Sequence, residues 1–131
     1  MIKVGDVIPE RVFYMDRAML KAYADASGDH NPIHQDEAFA VSVGLPNVIA
    51  HGMLTMALVG TFISDWAGGS ANVKALSARF IKPVMVPADE KVDLTVSATV
   101  TEVDADCIKL DCVATSAGVK VLGMAKAVVT K

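Results

Sequence analysis

Hydrophobic and polar positions follow different rules in the two halves of the chain. From Val92 to Val100, apolar Val92, Leu94, Val96, Ala98 and Val100 alternate with Asp93, Thr95, Ser97 and Thr99, which predicts a strand with one buried face. Ile108, Leu110, Cys112 and Ala114 alternate with Lys109, Asp111 and Thr115 in the same way. Val119 to Val129 and Val73 to Lys82, the latter ended by Pro83, predict two further strands. The turns "DAD" and "SAGV" are short, so the last three strands should pair antiparallel as hairpins.

The first half reads as helix and loop. Asp16 is placed to cap a helix from about Arg17 to Ala26, with Met19, Leu20, Tyr23 and Ala24 on one face and Ser27-Gly28 at its end. Asp36 to Val43 predicts a short helix stopped by Gly44 and Pro46. A third helix, from about Gly52 to Trp66, carries no charge until Asp65, and a helix apolar on nearly every side is normally wrapped by other structure. The order of elements therefore predicts an α+β fold in which an antiparallel sheet wraps a long central helix. The open edges of such a sheet favour pairing two copies edge to edge, so a dimer is expected.

Composition narrows the classes of partner. A chain of 131 residues, 53% hydrophobic and 21% charged, suits one folded domain spanning residues 1–131. The net charge of -3 and the lack of a lysine-arginine block argue against nucleic acid and leave small or acyl partners. "MIKVGDVIPE" has no signal-peptide character, and the uncharged run Gly52 to Ser64 is too short to span a bilayer, so the expectation is a cytoplasmic protein without a membrane span. Cys107 and Cys112 are five apart in a predicted strand, point to opposite faces, and are expected to be core or near-core thiols.

All three histidines, His30, His34 and His51, fall in "SGDHNPIHQD" and "AHGMLTM". His30 and His34 have helical metal-site spacing, but Pro32 between them disfavours helix, so no metal is expected. There is no Gly-x-Ser-x-Gly elbow, and "AGGSAN" lacks the lysine and spacing of a phosphate loop. "GDHNP" could be only an Asx-Pro loop in which Asp29 and Asn31 bond the local backbone. Yet Asp29 and His34 can face one side of this segment, and an acid with an imidazole is the minimal pair for moving protons around a carbon-carbon bond. Gly52, at the head of the buried helix, offers backbone N–H groups and close approach to a developing oxyanion. His51 reads equally as a loop anchor or a catalytic group.

Gly28-Asp29-x-Asn31-Pro32-x-His34, followed by His51-Gly52-Met53, resembles the hydratase signature of the MaoC-like (R)-specific enoyl hydratases and dehydratases. The likeness runs from "VGDVIPE" through "RFIKPVMVPADE" to the final strands, and "HGMLTM" with a Trp closing the helix is most similar to the catalytic B-subunit branch of the mycobacterial β-hydroxyacyl-ACP dehydratases. The resemblance implies a hot-dog fold and reversible hydration of a trans-2-enoyl thioester of coenzyme A or acyl carrier protein to the (3R)-hydroxyacyl thioester, without a cofactor. It implies that Asp29 and His34 are catalytic, that Gly52 N–H holds the thioester carbonyl, and that Asn31 orients the loop. It also implies a homodimer or a heterodimer with a related subunit. Some relatives carry a serine where this chain has Gly60, which suggests a deeper or less polar acyl pocket. A hot-dog thioesterase would be expected to carry a carboxylate on the central helix, absent here before Asp65, and a non-catalytic acyl-binding subunit has no need of the Asp29–His34 pair. Met53, Met56 and Met85 could line an acyl pocket or fill the core, and Lys74, Arg79 and Lys82 could meet an acidic carrier or form a solvated face.

Overall fold

The computed structural model describes residues 1–131. The elements in chain order are β1 (Val7–Met15), α1 (Arg17–Ser27), α2 (Glu37–Ser42), α3 (Gly52–Ala67), β2 (Val73–Phe80), β3 (Val92–Val103), β4 (Cys107–Ser116), β5 (Val119–Lys120) and β6 (Leu122–Thr130). The strands form one antiparallel sheet in the order β1-β3-β4-β6-β2, with β5 paired to β4.

The period-two pattern sets the buried face. Leu94, Val96, Ala98 and Val100 of β3 and Ile108, Leu110, Cys112 and Ala114 of β4 are all buried, and they share one core with Leu54, Val59, Phe62 and Ile63 of α3. Asp104 closes the β3–β4 turn by accepting from the backbone N–H of Asp106 and Cys107, and these two donors hold its carboxyl below the ordinary range. Asp16 caps α1 by accepting from Met19 N–H, and Gly28 ends it in the left-handed region at φ 80°. Both cysteines are free, and burial pushes the Cys112 thiol up to about 11, so it stays a neutral core side chain.

Three features depart from the reading of the sequence. The first half is not only helix and loop: Val7–Met15 is an edge strand paired with β3, whose register shifts between Ile8 and Arg11. Pro9 lies in that irregular stretch, where an edge can tolerate its missing N–H, and the bulge breaks the alternation that would have marked the strand. The segment Val119 to Val129 is two strands, because its register against β4 shifts between Lys120, opposite Thr115, and Lys126, opposite Asp111. Finally, α3 is covered on one side only: Met53, Ala57, Thr61 and Asp65, at helical spacing, are exposed in the single chain.

Candidate active site

The site is framed by a short antiparallel contact between residues 48–50 and 84–86. Ala50 N–H donates to Val84 O and Val86 N–H to Val48 O, both at 2.8 Å, with Ile49 bridged to Met85. Arg17, which carries no signal in the motif, locks this frame by donating to Val86 O at 2.6 Å and to Asn47 Oδ1 at 2.9 Å, with Glu37 as its ion-pair partner at 3.2 Å. The polypeptide then enters α3 at Gly52.

The loop after α1 folds through its own side chains. Asp29 N–H donates to Ser27 Oγ, Asn31 N–H to Asp29 Oδ1, and Ile33 N–H to Asn31 Oδ1, each at 3.2 Å. The Asx turns foreseen for Asp29 and Asn31 are thus present, and they start the single 3-10 turn Pro32–His34 that carries His34 inward. Asn31 is exposed and orients the loop through this cap. His30 is exposed and stands apart from the cluster.

His34 is buried, and its Nδ1 lies 2.7 Å from Ile49 O. A carbonyl only accepts, so Nδ1 bears the proton and, in the neutral ring, Nε2 presents a free lone pair. His51 Nε2 lies 3.1 Å from the backbone carbonyl of Asp29, which by the same argument places its proton on Nε2. Its Nδ1 is buried without a partner, so protonating this ring would seal an unsatisfied N–H in the core. Burial accordingly lowers the His51 pKa below its ordinary 6.5; the hydrogen bond to Asp29 raises it, His34 lowers it and the Asp29 charge raises it, with the net shift downward. The two imidazoles stack with centroids 3.9 Å apart, and Tyr23 packs on His51 at 4.7 Å. His51 therefore ties the Asp29 loop to the head of α3 and backs the His34 ring.

A pH dependence of stability follows. The unfolded His51 binds a proton that the folded ring resists, so its contribution to stability is present above pH 6.5 and is lost as pH falls through the lowered folded value. In urea unfolding, wild type should lose stability between about pH 7.5 and about pH 5.5, and His51→Gln should show a smaller loss over that window. An unchanged pH slope in the variant would refute the buried neutral ring.

Ligating atoms of Asp29, His34 and His51 lie within 4.8 Å of one another. Each imidazole commits one nitrogen to a backbone carbonyl, and the remaining His51 nitrogen is sealed, which leaves the second His34 nitrogen and the Asp29 carboxylate as the cluster's uncommitted groups. A cavity of about 320 Å³ opens beside the cluster, lined by His34, Gly52 and Thr55 together with Phe80, Ile81 and Leu122. Asp29 is exposed, with a carboxylate oxygen within 4.8 Å of a His34 ring nitrogen; neither it nor Asn31 nor His51 lines the cavity. Gly52, the first helical residue, has no intrahelical acceptor for its N–H, and a Cβ there would come within 3.1 Å of the Phe80 ring. Lys82 lies at the cavity and Met85 lines a neighbouring one, while Met53 is exposed. Gly60 faces a separate open groove with Thr61 and Asp65, so the missing serine does not deepen the cavity beside His34.

A six-stranded antiparallel sheet packed on one long helix, with Asp29, His34 and His51 gathered at the helix head, defines a hot-dog domain. The chain belongs to the MaoC-like family, whose profile, described as MaoC like domain, matches residues 6–120. 3-Hydroxyacyl-thioester dehydratase X of Mycobacterium tuberculosis is 40% identical over 80 residues, which is 61% of this chain and 28% of that protein. A solved MaoC-like dehydratase superposes with a TM-score of 0.95 at 38% identity, covering 98% of this chain and 40% of that one. An (R)-hydratase from A. caviae involved in PHA biosynthesis superposes with a TM-score of 0.84 at 26% identity, covering 98% of this chain and 96% of that one. The chain thus spans less than a third of dehydratase X. No helix is long and apolar enough to cross a membrane.

Proposed function

We propose that this domain is an (R)-specific hydratase and dehydratase that interconverts trans-2-enoyl and (3R)-hydroxyacyl thioesters. The observation that carries the reading is His34, oriented by its Nδ1–H to Ile49 O, on the wall of a cavity it shares with Gly52 and with the Asp29 carboxylate within 4.8 Å of its ring. In the hydration direction the water oxygen bonds to C3 of the enoyl group, and the Asp29–His34 pair takes the water proton. The electron pair of the C2–C3 double bond moves toward the thioester carbonyl, whose oxygen gains charge at the Gly52 N–H, and a proton is delivered to C2. The two groups act as one unit in the proton transfers. Dehydration is the reverse, and no cofactor enters the balance.

The carrier is a phosphopantetheine thioester, of coenzyme A or of acyl carrier protein, and Lys82 at the cavity with exposed Lys74 and Arg79 on β2 suits its phosphate. The same features favour a catalytic subunit over a non-catalytic one. The thioesterase alternative lacks its carboxylate, since Asp65 lies at the far end of α3 and pairs with Arg11 at 2.6 Å. Incubating the purified chain with a trans-2-enoyl-CoA and resolving the product by chiral chromatography should give the (3R) alcohol; free acid with released thiol would instead favour the thioesterase.

We further infer that the chain, a single MaoC-like domain placed in the cytosol, works as a dimer, with itself or with a related subunit. Edge strand β2 carries exposed Phe80, Ile81 follows it, and Met53 lies exposed on α3, so a second copy there would continue the sheet and cover the open helix face. Light scattering should return twice the 13.8 kDa chain mass. A monomer at micromolar concentration would contradict the homodimer.

A further inference from the structure

Thr55 presents a hydroxyl that the protein itself leaves unused. The residue is 3% exposed and lies on the cavity wall with His34 and Gly52. A threonine inside a helix ordinarily returns its hydroxyl to the carbonyl four residues back, as Thr61 does to Ala57 O at 3.1 Å. The corresponding carbonyl for Thr55, His51 O, already accepts from Leu54 N–H at 3.0 Å and Thr55 N–H at 3.2 Å, and the Thr55 hydroxyl bonds no protein group. The one side-chain polar atom sealed in the core without a partner is His51 Nδ1, so the Thr55 oxygen reaches the cavity surface. A hydroxyl that bonds no protein group and reaches a cavity wall is available to donate to whatever occupies that cavity.

Position supplies the occupant. Thr55 is three residues beyond Gly52, on the same helix face, and side chains on a helix tilt toward its N-terminus, so the hydroxyl leans toward the end where the Gly52 N–H is free. Resting on the hydratase reading above, we infer that Thr55 donates a second hydrogen bond to the acyl-thioester carbonyl oxygen held by Gly52 N–H. Two donors of different kinds, one backbone and one side chain, then stabilise the charge that gathers on this oxygen as the enolate forms.

The test uses two variants and two readouts. Thr55→Val keeps the shape and removes the hydroxyl, whereas Thr55→Ser keeps the hydroxyl. With crotonyl-CoA, Thr55→Val should lower kcat by about 10- to 100-fold with KM little changed, and Thr55→Ser should stay near wild type. With butyryl-CoA, which has no double bond to hydrate, isotope-edited infrared spectroscopy should show a bound carbonyl stretch below its free value. Thr55→Val should return that stretch toward the free value, and Thr55→Ser should not. An unchanged stretch in Thr55→Val overturns the assignment, whatever its kcat, since a packing role would not move the carbonyl band. A wild type that shifts the butyryl-CoA band but does not hydrate crotonyl-CoA places the failure on the hydratase reading and leaves the Thr55 assignment to the spectrum. A wild type that binds neither thioester overturns both.

Discussion

Asp29→Asn should hydrate enoyl thioesters at least about 100-fold more slowly than wild type while melting at nearly the same temperature. The separation of activity from stability comes from the position of the carboxylate. Asp29 is exposed, and its side chain accepts one bond, from Asn31 N–H, which an amide oxygen can also accept. The substitution therefore removes charge and basicity with little else. His34→Ala should lose activity to a similar degree, but it should also lower stability by about 1–3 kcal/mol, because the Ile49 carbonyl loses its donor and His51 loses its stacking partner. Equal turnover by either variant and wild type in a continuous assay would remove that residue from the mechanism.

Replacing Gly52 tests the other half of the site. Gly52→Pro deletes one N–H at the first helical position, where proline is well tolerated because that N–H has no helical partner. The preceding residue, His51, sits at φ -58° and ψ 131°, a conformation that a following proline accepts. Both Gly52→Pro and Gly52→Ala place a Cβ about 3.1 Å from the Phe80 ring, so that contact is common to the two. The difference between the two variants thus isolates the N–H. Gly52→Pro should fall about 100- to 1,000-fold below Gly52→Ala in kcat, with the helical circular dichroism of both retained. Parity between them would mean that the carbonyl oxygen is held elsewhere.

The local geometry around Asp29, His34 and Gly52 was more legible in the sequence than the edges of the fold. "SGDHNPIH" and "AHGM" are local, and the Asx turns and the helix head read from them reappear in the structure, whereas the 3-10 turn Pro32–His34 was not read because Pro32 signalled only a break in helix. Strands β3 and β4 were legible because each buries one clean face. β1 was not, because Pro9 and the bulge at Ile8–Arg11 interrupt its alternation. The open side of α3 was hidden for a different reason: Met53, Ala57 and Thr61 are compatible with burial, and only the sheet's extent shows that one chain does not reach around them. His51 read ambiguously because its role depends on a long-range bond to the Asp29 carbonyl and on contact with His34. Arg17 and Thr55 gave no motif signal, since one acts on backbone carbonyls distant in the chain and the other is distinguished only by a hydrogen bond it does not make.

The most direct test of the central claim is the loss of conjugated enoyl absorbance when purified wild-type chain, alone, is mixed with short and long trans-2-enoyl-CoA, with Asp29→Asn in parallel. Absorbance should fall with wild type to an equilibrium with the hydroxyacyl product and remain nearly flat with the variant. A fall of equal rate in both would contradict the Asp29–His34 relay, and a folded wild type that leaves every enoyl-CoA untouched would contradict a self-sufficient hydratase.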